Sequence, residues 1–294
     1  MAARSEIDLH SHSTASDGVL SPSELVARAA TGGVRVFALT DHDTTAGVEE
    51  AATAAQAHGV QLIPAVEVSS LWESREIHVV GLGVDPSHQV LRQGLAWNQE
   101  QRRSRIRSMA RRLEERAGIG GVMEAMEPRP GNQPGRGQLA RFLVEQGYCR
   151  STQQAFDRYL RRGRPGYQRA GWMALATAVS LIRQAGGVAV LAHPLAYKMT
   201  GAWMRRLLTA FREAGGGGVE VVVGTSDRQR VDQVLGYALR FDLLASMGSD
   251  FHGPGPAGVE PGRLLPMPAA ASPVWKDLRD VRGRVLSPLV PSQL

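Results

Sequence analysis

The 294-residue sequence predicts an α/β fold, a β/α barrel of seven strands carrying a small inserted all-α subdomain, on three observations. Short β-branched or apolar runs alternate with amphipathic stretches along most of the chain. No dinucleotide-binding glycine fingerprint accompanies them, and the alternation breaks once, between about residues 88 and 168. Strands separated by helices imply parallel pairing, and a run of such units without the fingerprint favours a closed barrel over an open doubly wound sheet.

The strand-like runs are EIDLH (6–10), VRVFALTD (34–41), QLIPAVEVS (61–69), EIHVVGLGVD (76–85), VAVLAH (188–193), GVEVVVG (218–224) and LLASMGSD (243–250). The first helix follows the first run. Ser21 can cap it, Pro22 suits its first turn, Glu24 completes a capping box and Gly32–Gly33 stop it. Helical patterns recur at 46–58, 173–186, 201–214 and 229–240. The tail beyond about 260 is Pro-rich and reads as irregular. No internal repeat or low-complexity tract interrupts this order.

Where the rhythm breaks, residues 89–117 read as one long arginine-studded helix, followed by a Gly/Pro-rich link at 127–137 and two shorter helical pieces at 138–147 and 151–161. The expected division is therefore a barrel domain from 1–88 and 169–294, with a helical insertion over 89–168. The whole chain carries 34 Lys+Arg against 28 Asp+Glu, a net +6. Residues 99–169 hold 16 Arg against 7 Asp+Glu, so the positive charge is local and the rest of the chain is mildly acidic. Arginine forks match phosphate, so this stretch is a candidate region for drawing in anions; the same pattern also describes a solvated helical face.

Composition excludes several classes. No apolar run approaches the roughly 18 residues of a membrane span. The N-terminus has no apolar segment of a secretory signal, which makes the cytoplasm the default compartment. The single cysteine, Cys149, cannot form an internal disulfide and has no neighbouring thiol at metal-ligand spacing, so it reads as inert.

Six of the eight histidines sit in, at or just beyond a predicted strand: His10, His12, His42, His78, His193 and His252. Asp17, Asp41, Asp43, Glu67 and Asp250 join them at the same places. In a β/α barrel those strand ends converge on one face. One histidine near a strand is usually a hydrogen-bonded core residue. A set of six with several carboxylates would be a costly core, because buried charge needs pairing or metal. The set therefore predicts a metal site, for which imidazole and carboxylate suit zinc, manganese or iron. His58 and His88 lie outside the pattern and read as surface residues.

With the segments DLHSHSTASDG, ALTDHDT, LAHP and GSDFHGPG, together with Glu67 and His78, the sequence resembles the polymerase and histidinol phosphatase (PHP) family of metal-dependent phosphoesterases. The resemblance runs from about residue 6 to 258. It implies a distorted, TIM-like seven-stranded barrel and two to three divalent ions, with Mn2+ expected and Zn2+ or Fe2+ as alternatives. His10, His12, Glu67 and Asp250 would hold the first ion. Glu67 would bridge to a second held by His78 and His193, and Asp17, His42 and His252 would hold the third. Asp17, His42, Glu67 and His193 are the implied catalytic residues.

Within the family the chain is similar to nucleoside 3′,5′-bisphosphate phosphatases and related short-RNA 5′ exonucleases, which carry a helical insertion after the fourth strand. GRGQLARFLVEQG and AFDRYLRRGRPGY resemble that insertion, which is then expected to cover the active site. Substrate contacts implied there are Asp17, His42, Arg136 and Gln138. Two positions depart from the pattern: Gln138 stands where a histidine is expected, and Leu195–Ala196 follow His193–Pro194 where Gly-Arg is common.

The implied reaction converts a nucleoside 3′,5′-bisphosphate to nucleoside 5′-monophosphate and phosphate, with possible trimming of short RNA in the 5′–3′ direction. Hydroxide formed between two cations would attack phosphorus in line. The partner is thus a small phosphorylated nucleotide or short RNA. Alternatives are a phosphatase for another small phosphomonoester such as histidinol phosphate, against which the insertion argues, and a degenerate nucleotide-binding module. Amidohydrolase-type C–N hydrolysis usually needs a carboxylated lysine, and Lys198 and Lys276 both miss the relevant strand ends.

Overall fold

The computed structural model describes residues 4–127, 135–224, 226–255, 258–280 and 283, so most of the Gly/Pro-rich link lies outside the described residues. The elements follow as β1 (Ile7–Asp8), α1 (Pro22–Thr31), β2 (Val36–Leu39), α2 (Val48–His58), β3 (Gln61–Trp72), β4 (Arg75–Leu82), α3 (Gln89–Ala117), α4 (Val122–Ala125), α5 (Arg136–Glu145), α6 (Thr152–Ala155), β5 (Met173–Ala174), α7 (Leu175–Gln184), β6 (Val188–Leu191), α8 (Gly201–Glu213), β7 (Gly218–Val223), α9 (Arg228–Arg240) and β8 (Leu244–Gly248). None of these helices is long and apolar enough to cross a membrane.

Seven strands form the barrel in the order β1-β2-β3-β4-β6-β7-β8. The ends meet where Leu9 N–H donates to the Met247 carbonyl at 3.0 Å and Asp250 N–H donates to the His10 carbonyl at 2.8 Å. Val36, Ile63, Val79, Val190, Val219 and Ala245 fill a core that extends outward to α7, α8 and α9. Branched side chains suit these pleated, two-sided buried strands, which is why the runs are nearly continuous in Val, Ile and Leu. α1 starts as its sequence dictates: Ser21 Oγ accepts from Glu24 N–H, and Glu24 Oε2 accepts from Ser21 N–H at 2.8 Å. At α8 and α9 the cap is one-sided, with the Thr200 and Asp227 side chains accepting from Trp203 and Arg230 N–H.

The expectation of uniformly parallel pairing needs correction. β4 runs antiparallel to both β3 and β6. β3 turns into β4 through Glu73 and Ser74, both with positive φ (45° and 68°), and Trp72 pairs with Arg75. Two left-handed residues make the primed turn that hairpins require. Neither residue is glycine or asparagine, so the turn left no mark in the sequence. Antiparallel β4 brings His78, in its first half, to the same mouth as the later ends of the parallel strands.

The predicted helix at 173–186 also begins later, at Leu175. Met173 and Ala174 instead form β5, paired in parallel with Ser70 and Leu71 of β3 and lying off the barrel path. Met173 N–H donates to Asn98 Oδ1 on α3, which holds this segment extended.

Between 89 and 168 the described residues contain helices and no strand. Ile106, Met109, Leu113, Leu139, Leu143 and Leu160 pack into a hydrophobic cluster separate from that of the barrel, and Cys149 is buried among them. Leu91 and Leu95, at the start of α3, belong instead to the barrel core. The long helix thus has one foot in each body.

Candidate metal centre and active site

All nine residues expected to hold metal meet at one mouth of the barrel. His10 and His12 follow β1, Asp17 lies in the loop beyond, and His42 follows β2. Glu67 and His78 come from β3 and β4, His193 follows β6, and Asp250 and His252 follow β8. Asp43, His193 and Asp250 take positive φ without being glycine (54°, 29° and 54°), a strain that surrounding structure must hold in place.

The spacing of donor atoms decides what this cluster can bind. His10 Nε2 and His12 Nε2 are 3.1 Å apart, and each lies 3.3–3.4 Å from Glu67 Oε2 and from Asp250 Oδ1. Nitrogen and oxygen donors 3.1–3.4 Å apart are close enough to share a divalent ion, which takes such ligands at about 2 Å. On its other side Glu67 Oε1 lies 3.1 Å from His78 Nδ1 and 3.0 Å from His193 Nε2. Asp17 Oδ1 lies 3.3 Å from His252 Nε2 and 3.8 Å from His42 Nε2. Three groupings could each hold an ion: His10, His12 and Glu67; His42, Glu67 and His78; and His12, Asp17, His42 and His252.

Unsatisfied atoms point the same way. Glu67 Oε2 and His42 Nδ1 are 2.8 Å apart, yet both are buried without a hydrogen bond, as is Asp17 Oδ1. Buried polar atoms without partners are rare and need a reason, and a cation supplies one. Ligation requires free lone pairs: His12, Glu67 and Asp17 already have them, whereas at His10, His193 and His252 burial is outweighed by the neighbouring carboxylates, which raise those rings, so each must give up a proton to an ion. Burial and the neighbouring His252 and His42 push His12 down to about 3, keeping its ring neutral. Burial would raise Glu67 and Asp17, but adjacent imidazoles outweigh it and hold both well below the usual carboxylate range. His252, drawn down by burial but up by Asp17, reaches about 10.

The two acids flanking His42 do not join the cluster. Asp41 accepts from the Ser13 hydroxyl at 2.6 Å, from Ser13 N–H at 2.8 Å and from the Ser16 hydroxyl at 2.5 Å, so it braces the loop that carries Asp17. Asp43 receives the Arg102 guanidinium, Asn98 Nδ2 at 2.7 Å and Ser69 N–H at 2.8 Å, which ties α3 to the end of β2. His58 is exposed and His88 is half-buried at the start of α3, both away from the mouth.

Glu220 on β7 is the functional candidate that sequence reading passed over. Its Oε1 lies 2.8 Å from His10 Nδ1, and its Oε2 accepts from His193 N–H at 2.6 Å. A carboxylate behind a ligating imidazole fixes the ring and its tautomer. The signal was present as one acid inside an otherwise apolar strand, GVEVVVG.

Beside the cluster, a cavity of about 310 Å³ opens between the barrel mouth and the inserted helices. Asp17, His42, His78 and His252 form the wall nearest the cluster, and Arg102, Arg105, Arg136 and Arg141 line it elsewhere. Arg105 grips Glu76 with both arms (2.6 and 3.0 Å), and Arg136 reaches the same carboxylate at 3.3 Å. Trp172 lies under Arg102 and Arg105, and Phe156 under Arg136. Gln138 does not line this cavity. Its Oε1 accepts from Gly135 N–H at 3.0 Å, capping α5, and its Nε2 donates to the Ser16 carbonyl at 3.4 Å. Ala196 lies on the opposite side of the mouth, in a second cavity over β6–β8.

The chain is similar to several known proteins. The model of the family described as the PHP domain matches residues 8–131. A "5′-3′ exoribonuclease" from Haemophilus influenzae is 42% identical over 92% of this chain and 97% of its own length. A "3′,5′-nucleoside bisphosphate phosphatase" from Chromobacterium violaceum is 40% identical over 96% of this chain and 98% of its own. Among solved structures, an amidohydrolase from Chromobacterium violaceum with bound sulfate and no metal superposes with a TM-score of 0.87 at 40% identity, covering 92% of this chain and 95% of that one.

Proposed function

The chain belongs to the PHP family and is a metal-dependent phosphoester hydrolase, and within that class we propose that it removes the 3′-phosphate of nucleoside 3′,5′-bisphosphates, leaving the nucleoside 5′-monophosphate. One observation carries this reading: the metal-ligand cluster shares a wall with a cavity lined by four arginines. Such a pair of neighbouring sites fits a substrate with two phosphates, one for each. The names of the two relatives, a bisphosphate phosphatase and an exoribonuclease, support both this substrate and short 5′-phosphorylated RNA as a second one.

His10, His12, Glu67 and Asp250 would hold one divalent ion, with Glu67, His78 and His193 holding a second and Asp17, His42 and His252 a third. Manganese is the expected metal. Bound there, the ions supply activation of the attacking water and neutralisation of charge at phosphorus. The protein's own groups do the rest. Arg136 and Arg105 take the 5′-phosphate, which competes with Glu76 for their donors. Guanidinium forks match phosphate oxygens in pairs, so this contact sets orientation as well as affinity. Asp17 and His42 stand between the two sites, where the departing 3′-oxygen takes its proton. The inserted helices act as a cover: Arg141 donates to the Asp17 carbonyl at 2.8 Å, which holds α5 down over the mouth and limits access of bulk water.

Phosphate release with added manganese, compared across adenosine 3′,5′-bisphosphate, AMP and histidinol phosphate, tests the proposal. Turnover of the bisphosphate with AMP as the accumulating product is expected. Replacing Arg136 with Ala should raise KM for the bisphosphate by about 10- to 100-fold, since a hydrogen bond to a charged group contributes about 1.5–3 kcal/mol. Faster turnover of histidinol phosphate, or an unchanged KM in the variant, would overturn it.

A further inference from the structure

The cluster has a second cavity on its far side. It measures about 550 Å³ and lies over β6, β7 and β8, whereas the arginine cavity lies over β1 to β4 and the inserted helices. No residue lines both. His193 and Asp250 form its inner end, and Lys198 and Arg230 stand exposed at its rim. Lys198 has no ion-pair partner among the described residues, and Arg230 has only a loose approach to Asp227 at 3.8 Å. Between inner end and rim the wall combines Val223 and Val234 with Gln233. Apolar surface next to a polar amide and two available cations suits a sugar, a base and a phosphate in succession.

The chemistry of the reaction says what must go there. Water adds to phosphorus, the P–O3′ bond breaks in line, and the 3′-oxygen of the first nucleotide leaves with a proton. In a bisphosphate the three remaining oxygens on phosphorus are all terminal. In an RNA linkage one of them is the 5′-oxygen of the next nucleoside, which cannot lie in the cavity already holding the first nucleotide. We propose that the cavity over β6–β8 is the binding site for the second nucleotide of a 5′-phosphorylated RNA, with Lys198 and Arg230 contacting the phosphates that follow it. This inference rests on the substrate reading above. The freed phosphate then remains on the shortened strand as its new 5′ end, ready to move across into the arginine cavity.

A double variant, Lys198→Gln with Arg230→Gln, isolates the cavity, since neither residue belongs to the metal or arginine sites. With 5′-phosphorylated di- and trinucleotides, kcat/KM should fall about tenfold while turnover of adenosine 3′,5′-bisphosphate stays within about twofold of wild type. Gln233→Trp, which fills the cavity, should act with the same selectivity. Equal loss on both substrates, or loss on neither, overturns the assignment. Binding of a 3′-fluorescent, phosphorothioate-linked 5′-phosphotrinucleotide to the manganese-loaded protein gives a readout independent of turnover. It should weaken about tenfold, with a shallower salt dependence, in the double variant. Unchanged binding rejects the cavity even if bisphosphate is hydrolysed, whereas weakened binding with no bisphosphate turnover supports the cavity and rejects the substrate reading.

Discussion

The metal-ligand cluster and the arginine cavity share Asp17, His42, His78 and His252, but their polar groups are in opposite states. In the cluster, Glu67 Oε2, His42 Nδ1 and Asp17 Oδ1 are buried and lack hydrogen bonds. In the cavity, Arg102 is matched to Asp43, and Arg105 and Arg136 share Glu76. The cluster requires something from outside to complete it, and the cavity is already complete. On the function proposed, an arriving phosphate must displace internal partners, so the cavity's contribution to binding is a difference between two sets of good contacts. Removing a group from the cluster should therefore destroy function, while changing the cavity should adjust selectivity and stability.

The largest effect is expected at Glu67, the carboxylate that touches His10, His12, His42, His78 and His193. Glu67→Gln keeps the shape and removes the charge. It should cut bound metal, measured by elemental analysis, and lower kcat/KM by about 10³-fold or more, since metal charge stabilisation is worth several kcal/mol. A variant retaining full metal content and activity would show that the unsatisfied atoms do not mark an ion site.

Next comes the cavity's own stability. Burial raises Glu76, but Arg136 and Arg105 more than offset this and bring it down to about 2 from its usual 4.5. A carboxylate depressed in the folded state stabilises the protein above its unfolded value. That contribution, about 3 kcal/mol, should be lost as pH falls from near 4.5 towards 2. Denaturant titrations of wild type and Glu76→Gln across that range should converge at low pH. Parallel curves would mean that the arginines hold Glu76 less firmly than their geometry implies.

The smallest effect concerns the support behind the cluster. Glu220→Gln preserves the acceptor for His193 N–H and weakens the hold on His10. Metal affinity by calorimetry should drop 10- to 100-fold, the usual cost of losing an outer carboxylate. Retention of wild-type affinity would place Glu220 among the fold's internal ties only.

Much of this difference was readable from residues alone, and the unreadable part has physical causes. The β/α rhythm and the histidines at strand ends stand out because each is a local pattern repeated along the chain. The hairpin between β3 and β4 did not, because Glu73 and Ser74 adopt left-handed backbone without the residues that usually announce it. Glu220 stands out as a lone acid in an apolar strand, but nothing in that run says that it faces His10. Asp41 and Asp43 looked like further ligands, since spacing cannot tell a side chain aimed into the mouth from one aimed at Ser13 or Arg102. The cavity's pairings join residues far apart in the sequence, Glu76 with Arg136 and Asp17 with Arg141, and only the packing of α3 and α5 brings them together.

Asp43 has a further consequence for anyone who would exchange parts between related barrels. Through Arg102 and Asn98 it fastens the long helix one residue away from His42. The helices that follow β4 are therefore not a detachable module: a chimera that swaps them must carry Asp43, Asn98 and Arg102 as a set, or the recipient inherits a displaced imidazole along with its new helices.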